Sequence, residues 1–137
     1  MGVACLSRLI GREGDARELV GMVDGVRLVT LVGAPGCGKT RLGLEVGHRL
    51  ADRYPAGAGF VELAPVGEGC LVASAVAAGL GIDDRPGRSA EDALIEELSS
   101  TGLLVVLDNC EHVVGAVAAL VARLLDGCPS LRVVATS

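Results

Sequence analysis

Aromatic residues are nearly absent: 137 residues contain one Tyr, one Phe and no Trp, at Tyr54 and Phe60. Single-stranded nucleic acid is held by aromatic faces that stack its bases, so a platform of that kind is excluded. Lysine is equally scarce. Lys39 is the only one, and 12 basic against 17 acidic residues leave a net charge of -5 and no basic patch to neutralise duplex phosphates. Direct nucleic-acid contact by this chain is not expected. Long apolar runs are missing as well. The longest stretch without a charge, residues 69–82, is short of the roughly 20 residues of a membrane-spanning helix, so no membrane partner is expected. Arg8 interrupts the N-terminus before an apolar signal core forms, and Leu6 stands where a myristoylation signal carries Ser or Thr, which gives a cytoplasmic address by default. Cys5, Cys37, Cys70, Cys110 and Cys128 are odd in number and form no C-x-x-C pair. They indicate neither a disulfide framework nor a thiolate zinc site, and read as reduced, mostly buried, small apolar residues.

What the chain does have is aliphatic: half its residues are hydrophobic and 21% are charged. The length suits one domain with a real core. β-Branched runs alternate with longer aliphatic segments, the signature of a parallel sheet with helices on both faces. Strands are predicted at 27–32, 60–64, 103–107 and 131–135, and helices at 13–23, 38–53, 71–80, 90–98 and 113–125. Ser89, with Asp92 three residues on, offers a variant capping box for the fourth helix. The last helix is apolar nearly all round and is expected to be sandwiched between other elements.

Gly33-Ala34-Pro35-Gly36-Cys37-Gly38-Lys39-Thr40 fits G-x-x-x-x-G-K-[ST] between a predicted strand and a predicted helix, the context that this phosphate-binding loop requires. Glycines let the backbone wrap phosphate oxygens while N–H groups and the helix N-terminus face the negative charge. Lys39 would reach the β- and γ-phosphates of a nucleotide, and the Thr40 hydroxyl would hold Mg²⁺. Such a site also needs a carboxylate at the end of a neighbouring strand. Leu103-Leu104-Val105-Val106-Leu107 runs into Asp108, which supplies it as the Walker B acid.

The next position bears on hydrolysis. Many ATPases of the AAA+ kind place a glutamate there to polarise the attacking water, but this chain has Asn109, which cannot accept a proton, so fast turnover is not expected. Glu111 could substitute, or could simply be a helix N-terminal acid. A glutamate introduced at position 109 would be expected to raise hydrolysis modestly. Cys110 and His112 have no distant partners with which to complete four metal ligands and are better read as helix-capping residues or as supports for the residues around Asp108. Cys37 reads as a small filler of the loop, and nothing around His48 specifies chemistry.

As a set, Leu9-Ile10-Gly11-Arg12-Glu13, the loop ending Gly38-Lys39-Thr40-Arg41-Leu42, Phe60-Val61-Glu62-Leu63-Ala64, Leu107-Asp108-Asn109-Cys110-Glu111-His112 and Arg132-Val133-Val134-Ala135-Thr136-Ser137 resemble the nucleotide-binding core of bacterial STAND ATPases. The resemblance is closest to the NB-ARC-type, AAA-like modules of actinobacterial transcriptional regulators of the LuxR and antibiotic-regulatory-protein kinds. It implies a three-layer α/β/α P-loop NTPase with a mainly parallel sheet in the order 5-1-4-3-2, spanning residues 1–137 and truncated after the fourth core strand. It also implies ATP or ADP with Mg²⁺ as ligands. Ile10, Gly11 and Arg12 would sit beside the adenine, Arg41 would follow the phosphate loop, and Thr136-Ser137 would mark the sensor position.

Read this way, the chain is a fragment of a regulatory switch whose partners are the missing lid, winged-helix and effector modules. Without a fifth strand, residues 27–32 would form an open sheet edge inviting self-association. The loop is also similar to that of adenylate-kinase-like phosphotransferases. The arginines after it, Arg41, Arg49, Arg53, Arg85, Arg88, Arg123 and Arg132, cluster only near Pro86, however, and do not suggest an Arg-rich lid. An inert remnant of the fold is the remaining alternative.

Overall fold

The computed structural model describes residues 3–7, 20–21, 25–32, 38–83 and 86–137. Among these residues five parallel strands form one sheet: β1 (Val3–Ser7), β2 (Leu28–Val32), β3 (Ala58–Glu62), β4 (Leu104–Asp108) and β5 (Arg132–Thr136), in the order β1-β2-β5-β4-β3. Between them run α1 (Lys39–Leu50), α2 (Val72–Gly79), α3 (Ala90–Leu98) and α4 (Val114–Gly127), with single 3₁₀ turns at Ala51–Arg53 and Gly69–Leu71.

Side chains alternate across the strands and so build two cores. Val29, Leu31, Leu104, Val106 and Val134 pack with Leu42, Val46 and Leu50 of α1 on one face. Val61, Val105, Leu107, Val133 and Ala135 pack with α2, α3 and α4 on the other. All five residues of β4 are buried, as befits a strand covered on both sides. The Arg27 guanidinium joins β2 to the far end of α4 by donating to the carbonyls of Leu125 at 2.8 Å and Cys128 at 2.5 Å.

The predicted strands stand where expected within two residues, and the four that were read share the expected neighbours. β2 is not an edge, however. β1, which the sequence reading did not anticipate, pairs with it in parallel from Val3↔Leu28 to Ser7↔Val32, so β1 and β3 are the outer strands. The open edge expected at 27–32 is therefore occupied by β1.

The last helix is not sandwiched either. Val117, Leu120, Val121, Leu124 and Leu125 are buried, whereas Ala118, Ala119 and Ala122 face solvent. Alanine contributes to mean hydropathy but loses little by exposure, which is why the helix looks apolar on every side while burying only one. Ser89 caps α3 as expected, its Oγ accepting from the Asp92 N–H at 3.1 Å. The predicted helix at 13–23 lies for the most part outside the described residues.

Because β1 shields β2, removal of residues 1–7 should expose the N–H and C=O groups along β2 and raise association above that of the intact chain. Light scattering at matched concentration measures this, and equal scattering from both chains would contradict the role given to β1.

Candidate functional site

The C-terminal ends of the strands converge on Asp108. This carboxylate ends β4 with 8% of its surface exposed, and a buried charge of that kind needs partners. It has them. Thr40 Oγ1, in the first turn of α1, donates to Oδ2 at 2.8 Å and lies 3.0 Å from Oδ1. Thr136 Oγ1, at the end of β5, donates to Oδ1 at 2.5 Å and accepts the Asn109 N–H at 3.0 Å.

Two glycines make this meeting possible. Gly38 has φ 92°, a left-handed conformation that turns the chain into α1. At Gly43 a Cβ would stand 3.2 Å from Val106 Cγ1, so its absence lets α1 settle close on β4 and bring Thr40 to the strand ends.

Asn109 is the one described non-glycine residue with positive φ, at 58°, in the region that Asn tolerates best. Its amide turns toward β3. Nδ2 donates to Glu62 Oε1 at 2.9 Å, is 3.1 Å from Oε2, and lies 3.4 Å from Asp108 Oδ2. Glu62 is opposite Asp108 in the β3–β4 register, and its Oε1 also accepts the Ala64 N–H at 2.7 Å. Thr40, Glu62 and Asp108 line a common cleft of about 200 Å³ with Phe60 and Leu44.

In the sequence Glu62 has no role beyond its family phrase, and Thr136 is expected only as part of the sensor position. Both stand at carboxyl ends of parallel strands, where open α/β sheets bind ligands, and that position was the signal available.

Of the residues singled out in the sequence, Gly38, Thr40 and Asp108 are brought to this end of the sheet. Arg41 is exposed on α1. Glu111 is exposed in the turn after Asn109 and makes no hydrogen bond or ion pair among the described residues. Ile10, Gly11, Arg12, Gly33, Ala34, Pro35, Gly36 and Cys37 lie outside the described residues, as does the side chain of Lys39.

His112 Nε2 is 3.0 Å from the Leu63 carbonyl; since that oxygen only accepts, this nitrogen carries the proton, and the ring ties the loop after β4 to the end of β3. His48 lies with its ring centroid 5.7 Å from that of Phe60. Of the described cysteines Cys110 and Cys128 are buried, in line with the expectation of mostly buried thiols, and Cys70 is exposed. Burial, then the nearby charges of Glu111 and Asp108, push the Cys110 thiol up to about 12; burial also raises Cys128, against the pull of Arg27.

Comparison with solved structures identifies the architecture. The ORC2 protein of Aeropyrum pernix, in a structure of ADPNP and ADP complexes, superposes with a TM-score of 0.70 at 17% identity over 95% of this chain and 42% of its own. The fold is of the P-loop NTPase type, a parallel sheet with helices on both faces. C. elegans PCH-2 shares it, with a TM-score of 0.56 at 20% identity over 94% of this chain and 38% of that one.

No family model matches the chain. Over 111 residues it is 47% identical to proteins of Mycobacterium tuberculosis and Mycobacterium bovis provisionally named HTH-type transcriptional regulators, covering 81% of this chain and 12% of theirs. Over 132 residues it is 36% identical to uncharacterized proteins of the same two species, covering 96% of this chain and 34% of theirs. The chain thus spans about an eighth of the first relatives and about a third of the second.

Two outcomes follow from the geometry. Thr136→Val keeps the shape but leaves Asp108 Oδ1 and the Asn109 N–H each short of a partner, so chemical denaturation should show a loss of about 1–3 kcal/mol. A thiol with its pKa pushed up to about 12 holds almost no thiolate at pH 8, so Cys110 should resist iodoacetamide while exposed Cys70 reacts, as peptide mapping by mass spectrometry would record.

Proposed function

We propose that this chain is the core of a nucleotide-dependent regulatory switch that binds ATP or ADP with Mg²⁺ and hydrolyses ATP slowly. The contact between Thr40 and Asp108 carries the reading: 68 residues separate a hydroxyl opening the helix after the G-x-x-x-x-G-K-T motif from a carboxylate ending an adjacent buried strand. Both are hard oxygen donors, and together with phosphate oxygens and water they match what Mg²⁺ prefers. The residues present therefore fit the ion. Thr40 and Asp108 would hold it, and it would supply charge neutralisation at the β- and γ-phosphates.

Gly33, Ala34, Pro35, Gly36, Cys37 and Gly38 would wrap the phosphates by their backbone, with Lys39 as the cation; Arg41 would flank them, and Ile10, Gly11 and Arg12 would border the adenine. The regulatory part of the reading is supported by the relatives, which are several times longer than this chain and in one case provisionally named as transcriptional regulators. Together with the resemblance to STAND and NB-ARC modules, that suggests that nucleotide state biases how residues 1–137 engage lid, winged-helix and effector modules. Asn109, which cannot take a proton, suits slow resetting. An adenylate-kinase-like transferase finds no specific support in the geometry.

Fluorescent ATP titration with and without Mg²⁺ tests the reading. Lys39→Ala should lower affinity by at least about tenfold, the worth of one charge-assisted contact, with the circular dichroism spectrum kept. Asp108→Asn should retain much of the metal-free affinity and lose the Mg²⁺ dependence. Unchanged ATP affinity in a folded Lys39→Ala chain would refute the assignment.

A further inference from the structure

Resting on that reading, we infer that Glu62, at the end of β3, is the carboxylate that orients the attacking water and accepts its proton, with Asn109 as the residue that positions it. Three observations converge. Asp108 is committed: both of its oxygens take the Thr40 hydroxyl, Oδ1 also takes Thr136, and Oδ2 faces the Asn109 amide. Glu111 makes no hydrogen bond or ion pair among the described residues that would fix it toward the cleft.

Glu62 is both fixed and available. The Ala64 N–H and the Asn109 amide hold Oε1, while Oε2 has only the longer 3.1 Å approach of that same amide and keeps lone-pair capacity. It is exposed to water, borders the cleft that Thr40 and Asp108 line, and stands beside Asp108 in strand register. The acid that is missing after Asp108 is thus replaced by one from the neighbouring strand, and Asn109 holds that acid in place.

The step balances without a further reactant. A water oxygen attacks the γ-phosphorus of ATP, and the bond from that phosphorus to the β–γ bridging oxygen breaks with its electron pair leaving on ADP. The water's proton passes to Glu62 Oε2 and is released to solvent with inorganic phosphate. This geometry reverses the expectation for position 109. A glutamate there would remove the amide that holds Glu62 and add a like charge beside two carboxylates, so turnover should fall rather than rise.

The test compares the 137-residue chain with Glu62→Gln, which keeps an oxygen acceptor for the Ala64 N–H but cannot take a proton, and with Asn109→Ala. Phosphate release should fall about 100-fold in Glu62→Gln, the scale of general-base catalysis, and by a smaller factor in Asn109→Ala. Equilibrium affinities for Mg²⁺ with ATP and with ADP should stay within about twofold, a change of under half a kcal/mol. Affinity for ADP with aluminium fluoride, which mimics the transition state, should weaken in Glu62→Gln in step with the rate.

Wild-type release by Glu62→Gln would overturn the inference while leaving the nucleotide reading intact. So would a wild-type chain that binds ATP yet releases no phosphate above the solution rate. A loss of ATP affinity equal to the loss of rate would make Glu62 a binding residue instead. If Glu62→Gln does not fold, wild-type release by folded Asn109→Ala overturns the inference. If the wild-type chain binds no nucleotide, the reading beneath the inference fails with it.

Discussion

A carboxylate that is nine-tenths buried is costly unless hydrogen bonds replace its lost water, and Asp108 meets that condition with groups from three separate segments. Thr40 comes from the start of α1, Thr136 from the end of β5, and Asn109 from the turn that follows β4. These groups reach Asp108 only if β4 lies beside β5 and α1 crosses so close that a Cβ at position 43 would crowd Val106. The polar cluster therefore depends on the correct topology, and disruption of that topology leaves a charge stranded in an apolar setting. The site and the sheet order support each other.

The apolar frame makes such convergence inexpensive. β4 buries Leu104 and Val106 toward α1 and Val105 and Leu107 toward the other helices, so it has no freedom to slip by one residue. Its register against β3 and β5 then determines which residues meet at the strand ends: Glu62 beside Asp108, with Thr136 one residue beyond the pairing of Leu107 with Ala135. All five strands are parallel, so their carboxyl ends lie on one side of the sheet, together with the start of α1. Polar chemistry collects there because the rest of the sheet is covered.

How much of this could be read beforehand depended on whether a signal was local. The aliphatic run ending in Asp108 and the β-branched strands are local patterns, and each led to a strand within two residues of its place. β1 escaped because Val3–Ser7 contains a single β-branched residue among Ala, Cys, Leu and Ser, too little periodicity to distinguish it from a loop. The exposed side of α4 escaped because its alanines look apolar wherever they lie. The Glu62–Asn109 pair escaped for a deeper reason: its partners are 47 residues apart, and only strand register brings them together. Most of the glycine-rich segment lies outside the described residues, so that part of the site stands on its sequence pattern and on Thr40.

Seen in place, Asn109 is more than a missing acid. Three carboxylates at adjacent strand ends would repel one another, whereas an amide between two of them offers a donor to each. Its left-handed backbone, held by the Thr136 hydroxyl through the N–H, aims Nδ2 toward both Glu62 and Asp108. Separate environments then suit the two acids to separate roles. Asp108 is enclosed by hydroxyls and buried, while Glu62 is exposed and held by the Ala64 N–H and the Asn109 amide. Two unlike settings for two carboxylates need no unusual residue, only a strand register that sets them side by side and an amide that offers a donor to each.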